Sequence, residues 1–148
     1  MKKSILTLAV LLFSLAAFAQ SAEKISELLT SKKATFAQAA YLAAALTDDS
    51  AELTEEAAFT KMVQAGAIRA DRKADDAITL KELAKLYMQA TGLKGGLFYT
   101  LFGTPRYAYR ELKAQGIIPE QADPSQQVTG RETIAVLNGC LSLTGGAQ

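Results

Sequence analysis

The chain has no histidine and no tryptophan, three prolines, and one cysteine, Cys140, in 148 residues. Without histidine the commonest general base and metal ligand is missing. A lone cysteine forms no internal disulfide, so packing must carry the fold, and with no histidine beside it the thiol lacks the base that nucleophilic catalysis uses. A buried, inert thiol on the last helix is the expectation. An excess of charge of either sign is missing too, since Lys+Arg 16 against Asp+Glu 15 gives a net +1. That balance argues against nucleic acid as a partner, because neutralising phosphates takes a basic surface. Asp48-Asp49 and Asp75-Asp76 read as turn residues and lack the spaced oxygen ligands of a calcium loop, so no metal and no cofactor is expected. Sustained strand alternation occurs nowhere, and the expected class is all-α.

The one long apolar run lies at the start. Residues 1–19 carry Lys2 and Lys3, then Ile5 to Phe13, then Ala17-Phe18-Ala19 before Gln20, the pattern of a bacterial Sec-type signal peptide cleaved after Ala19. The run is short for a membrane span, so export to the periplasm or the cell exterior is expected, with no stable membrane insertion after cleavage. Residues 20–148 have the length of one ordinary domain.

That domain is organised by a recurrence. Thr79 with Glu82 and Thr129 with Glu132 form matching helix-start boxes fifty residues apart, each after a β-branched residue, Ile78 or Val128. In such a box the threonine hydroxyl accepts a hydrogen bond from the third helical N–H, and the glutamate reaches back to the threonine N–H. The same shift carries Thr54 onto Thr104, Ala58 onto Ala108, Phe59 onto Tyr109, Met62 onto Leu112 and Gly66 onto Gly116. Thr54 and Thr104 are expected to cap helices, the second with Pro105 at its first position, while Gly66 and Gly116 stop them in the left-handed conformation. Thr35 with Gln38 opens a fainter third copy, preceded by a short helix over Glu23 to Leu29. Three helix pairs are therefore expected, over about 23–46, 54–91 and 104–141, the first degenerate.

Between these marks the Ala-rich helix 35–46 is expected to be central. Residues 69–76 read as a solvated connection. The apolar linker Leu93 to Gly103 is expected to plug the end of the core with Phe98, Leu101 and Phe102.

Ala108-x-x-x-Leu112-x-x-x-Gly116-Ile117-Ile118, a loop with Pro and Asp, then Val128-Thr129-Gly130-Arg131-Glu132 resembles the S-layer homology repeat. The likeness is best over 104–137 and second over 54–86. It implies three repeats in a pseudo-threefold helical domain that attaches exported proteins to cell-wall polysaccharide or peptidoglycan. The family's ligand-gripping arginine directly follows the threonine. Here Leu80 and Gly130 stand there, with Lys81 and Arg131 one position on, turned by about 100° around the helix. The family's tryptophans are missing.

Three functional classes follow. Catalysis is poorly served, because Glu82 and Glu132 are accounted for by capping. A binding module is supported by Arg106, Tyr107 and Arg110, with Tyr99 and Tyr109, gathered near one helix start as flat rings and guanidinium forks suited to sugars or wall carboxylates. Tyr107 and Tyr109 cannot face the same side of a helix, so at least one belongs to the core. Lys81 and Arg131 complete the candidate binding set. The third class is an assembly protein that recognises another envelope protein. The expected role is a non-catalytic envelope module whose partner is a wall polymer or such a protein.

Overall fold

The structure, a computed structural model, describes residues 22–47 and 53–145, and its regular elements are all helices. They are α1 (22–30), α2 (Phe36–Ala45), α3 (Glu55–Gln64), α4 (Leu80–Thr91), α5 (Leu97–Phe102), α6 (Pro105–Ala114) and α7 (Gly130–Gly145). Among the described residues the only β pairings are two isolated antiparallel bridges, Thr35 with Ala77 and Thr79 with Gln127. The leader and the turn at Asp48-Asp49 lie outside the described residues.

The helices begin where polar side chains take up backbone N–H groups that would otherwise lack a partner. At α2 the Gln38 N–H donates to Thr35 Oγ1 at 3.2 Å, and the Thr35 N–H donates to Gln38 Oε1 at 3.1 Å. At α7 the same exchange joins Thr129 and Glu132, at 3.2 and 2.7 Å. At α4 the Thr79 N–H donates to Glu82 Oε2 at 3.3 Å, and the Thr79 hydroxyl donates to the same oxygen. Thr54 Oγ1 accepts from the Ala57 N–H at 3.1 Å. Thr104 departs from the expectation: it sits at the N-cap of α6 with extended backbone, but its hydroxyl makes no capping bond. Pro105 presets the first turn, so α6 starts without one.

Two of the stops are built alike. Gly66 and Gly116 have φ of 72° and 76°. The Ala67 N–H reaches back to the Met62 carbonyl and Gly66 to Val63, as Ile117 reaches Leu112 and Gly116 reaches Lys113. This is the paired closure of a Schellman motif, and it satisfies carbonyls at the helix end. The loops that follow share their main turn bonds. Arg72 N–H donates to the Arg69 carbonyl as Ala122 does to Pro119, and the Asp76 side chain accepts from Lys73 N–H as Gln126 does from Asp123.

The three box-forming helix starts meet in a closed ring. Ala34 N–H donates to the Val128 carbonyl (2.8 Å), Val128 N–H to Ile78 (3.3 Å), and Ile78 N–H to Ala34 (3.0 Å). All three residues are fully buried. Two positions on, Phe36 N–H donates to Asp76, Leu80 N–H to Gln126, and Gly130 N–H to the Ser31 carbonyl. Each helix start is thus completed by backbone from elsewhere in the chain, which is what allows three helix N-termini to lie together away from water.

Packing corrects two expectations. The Ala-rich α2 buries Ala39, Ala40, Ala43 and Ala44, but the hub is α4, which packs on α2, α6 and α7. The closest partners are α2 with α3 and α4 with α6, not α3 with α4. The reason lies in the loop between α3 and α4. It turns aside to deliver the Ala74 and Asp76 carbonyls to the Ala37 and Phe36 N–H groups, so the two helices it joins separate. Ile78, Leu83, Leu86, Leu112, Ile118 and Val128 form the centre of one apolar core.

Candidate functional site

The segment after α4 was expected to close the core, and it does the reverse. Gly92 ends α4 at φ 67°, and Gly95-Gly96 lead into α5. The Gly96 N–H donates to Glu111 Oε2 on α6 at 2.9 Å, and the Thr100 hydroxyl donates to the Gly96 carbonyl at 3.1 Å. Held at its start, α5 packs closely on α6 alone among the described elements. Leu97, Phe98, Leu101 and Phe102 remain 70%, 60%, 65% and 57% exposed. From this segment Leu93 and Tyr99 pack against the core, and the other four side chains do not.

Phe98 and Phe102 instead stack on Tyr107, with ring centroids 5.8 and 5.3 Å away and planes tilted by 11° and 21°. Tyr99 turns the other way and packs partly buried against the core, where desolvation pushes its hydroxyl pKa up. Between α5 and α6 lies an open cleft of about 180 Å³ whose walls include Phe98, Tyr99, Tyr107, Arg110 and Glu111. A second hollow among the described residues, bounded by Lys24, Tyr41 and Glu55, encloses only about 10 Å³ and has no room for a ligand.

The candidate residues separate clearly. Tyr107 and Arg110 line the cleft, and Arg106 is exposed outside it. Tyr109 is the core member of the tyrosine pair, buried with its hydroxyl donating to the Ala122 carbonyl. Lys81 donates to Ser125 Oγ at 3.4 Å, and Arg131 is exposed on α7; neither lines the cleft. The position after each box threonine is closed, because Phe36, Leu80 and Gly130 are all buried. At Gly130 a Cβ would stand 1.6 Å from the Leu28 carbonyl oxygen of α1, so glycine there serves the approach of α1.

Residues 69–76 are more than a solvated connection. Arg72 donates from Nε to Glu82 Oε1 at 2.8 Å, with a second guanidinium nitrogen 2.6 Å from the same oxygen, and its guanidinium lies 5.9 Å from the Phe36 ring centroid. Glu82 is therefore cap and counterion together, and it is 9% exposed. The signal was present in the repeat, where Ala122 matches Arg72: a large cation at a position that needs only a methyl group has a partner to find.

Two reactive side-chain types are locked away. Cys140 is fully buried, and burial pushes its thiol up to about 11. The Tyr87 hydroxyl is wholly buried without a hydrogen-bond partner among the described residues, and desolvation raises its pKa well above the ordinary value. Among the described residues no group of three His, Cys, Asp or Glu side chains could hold a metal ion. No protein-family model, curated protein or solved structure matches the chain.

Proposed function

We propose that the protein is an exported, non-catalytic module of the bacterial cell envelope that binds a cell-wall polymer in the cleft between α5 and α6. The observation that carries this reading is the lining of that cleft, where the Phe98, Tyr99 and Tyr107 rings stand beside the Arg110 guanidinium and the Glu111 carboxylate. Aromatic faces pack against the C–H faces of sugars, an arginine fork binds carboxylates of wall polymers, and a neighbouring carboxylate accepts from sugar hydroxyls. Glu111 Oε2 already holds Gly96 N–H, which fixes the carboxylate in place.

The S-layer homology resemblance supports a wall role through the pattern of helix starts and stops in the sequence. It does not supply the binding residues. The positions matching the family's arginine are buried here, so the proposed grip is the cleft and not the helix starts. Export rests on the leader-like residues 1–19.

The test is co-sedimentation of the protein with purified wall sacculi. Tyr107→Ala together with Arg110→Ala should abolish pelleting while the circular dichroism spectrum and melting temperature stay close to those of the parent. Full retention by this variant would remove the cleft as the binding site, and no pelleting of the parent would remove the wall as the partner.

A further inference from the structure

The exposed apolar face of α5 is used only in part by the cleft, which Leu97 and Phe98 line and Leu101 and Phe102 do not, and its four side chains are the most exposed large hydrophobics among the described residues. Leu97 and Leu101 are four residues apart, as are Phe98 and Phe102, so the four side chains share one broad face. The charged residues nearest to them along the chain are cations, and the one acid beside the face is Glu111, at its cleft end. From Leu83 to Arg110 the chain contains no acidic residue but has Lys85, Lys94, Arg106 and Arg110. Lys85 donates to the Gly66 carbonyl and Arg110 lines the cleft. Lys94 and Arg106 are exposed and make no ion pair with any described residue. The nearest acid in sequence, Glu111, is engaged by Gly96 N–H.

We propose that α5 is an interfacial foot. Leu97, Phe98, Leu101 and Phe102 enter the boundary between headgroups and acyl chains of an anionic bilayer, while Lys94 and Arg106 rest over its phosphates. Apolar side chains bordered by unpaired cations are the combination that a negatively charged lipid surface rewards. The helix lies in the surface and does not cross it; no helix among the described residues is long and apolar enough to span a membrane.

Two other occupants fit less well. A second copy joined through the same face would set Lys94 and Arg106 against their own counterparts, and like charges at an interface oppose association. A protein groove needs roughly 800 Å² from each partner, whereas this helix is only about 9 Å long at six residues. A bilayer demands no shape complementarity and accepts a short apolar knob.

The foot shares Leu97 and Phe98 with the cleft but takes a different ligand, and the two readings are tested separately, by lipid vesicles without wall polymer and by purified sacculi without lipid. The chain has no tryptophan, so Phe98→Trp in the full chain places a single indole on the foot. Because the reporter sits on α5, lipid contact by residues 1–19 alone does not produce its signal. Vesicles of phosphatidylglycerol mixed with phosphatidylcholine should shift the emission to the blue and shield the indole from acrylamide. Pure phosphatidylcholine should give a much smaller shift. Adding Lys94→Glu and Arg106→Glu, or raising the salt, should weaken the response at least about tenfold, as should Leu101→Ser with Phe102→Ser. Both sets change exposed side chains, and unchanged circular dichroism verifies that the fold persists.

No emission change with any vesicle would overturn the proposal. So would a blue shift that grows with protein concentration in the absence of lipid, which would make the occupant a second copy. A foot that crosslinks stoichiometrically to one envelope protein while ignoring vesicles would make the occupant a protein. An equal response to both vesicle types, insensitive to the charge variants, would overturn the electrostatic half of the argument.

Discussion

The segments 54–92 and 104–142 repeat one backbone design with different fastenings. Helix, left-handed glycine stop, loop and capped helix follow one another with the same carbonyls and N–H groups paired. The side chains that pin the loop differ. In the first segment Arg72 leaves the loop and bonds forward to Glu82 on the next helix. In the second, Ala122 stands at that place and its carbonyl accepts from Tyr109 on the preceding helix. Glu82 is consequently buried, and Glu132, its counterpart, is exposed. The comparison teaches that the backbone hydrogen bonds define the unit, while the polar pin can be drawn from either side of the loop.

The sharpest way to break the comparison is at the start of α7. Leu80 and Gly130 occupy matching positions, but only Gly130 meets the α1 backbone, where an added Cβ would stand 1.6 Å from an oxygen. Gly130→Ala should lower stability by about 3 kcal/mol or more in urea titrations, because the obstacle is backbone and cannot swing away. Proteolysis within residues 22–30 should accelerate as α1 is displaced.

Removing the forward pin comes next. Arg72→Ala leaves the Glu82 carboxylate buried with only its Thr79 contacts, and should cost about 2 kcal/mol; the side chain of Arg72 is 36% exposed, which tempers the effect. Adding Glu82→Gln should restore part of the loss, since glutamine keeps the capping geometry and sheds the charge. Additive losses in that double-mutant cycle would show that the two side chains do not act as a pair. The backward pin is smaller: Tyr109→Phe deletes one hydrogen bond to Ala122 and should cost about 1 kcal/mol in the same titration.

Tyr87 and Leu137 are another matched pair, and the hydroxyl of Tyr87 has no hydrogen-bond partner among the described residues. Tyr87→Phe should leave the melting temperature unchanged or raise it, because an unsatisfied buried hydroxyl is removed with little change in shape.

The smallest effect concerns Cys140. With its pKa raised to about 11 from 9.0, the native thiol stays protonated where an unfolded thiol ionises. Stability from this group is therefore full below pH 9 and falls as the pH rises toward 11. Reaction with a thiol reagent at mildly alkaline pH should be slow in the native protein and fast in denaturant.

Much of the local structure was legible in the sequence. Thr35, Thr54, Thr79 and Thr129 announce helix starts and Gly66 and Gly116 announce stops, since a cap or a left-handed residue is satisfied within a few residues of itself. Thr104 also marks a helix start correctly, but without a side-chain capping bond, because Pro105 presets the first turn. The candidate cleft was half legible. Tyr107 and Arg110, which line it, stand out by composition around one helix start, but Arg72 was hidden in a charged loop and showed itself only as a departure from Ala122. The apolar linker was misjudged because hydrophobicity says that a segment gains from burial, not that the core still has room for it.

By itself, the sequence determined the helical class, the repeated unit, and the identity and order of the caps, because those hydrogen bonds join near neighbours and their donors and acceptors can be read in place. The tertiary structure alone decided that α4 would be the hub, that Ala34, Ile78 and Val128 would share a ring, that α1 would claim the space over Gly130, and that α5 would be left facing outward. Those outcomes join groups distant in the chain, and which of them meet depends on how the volume of the whole core is filled.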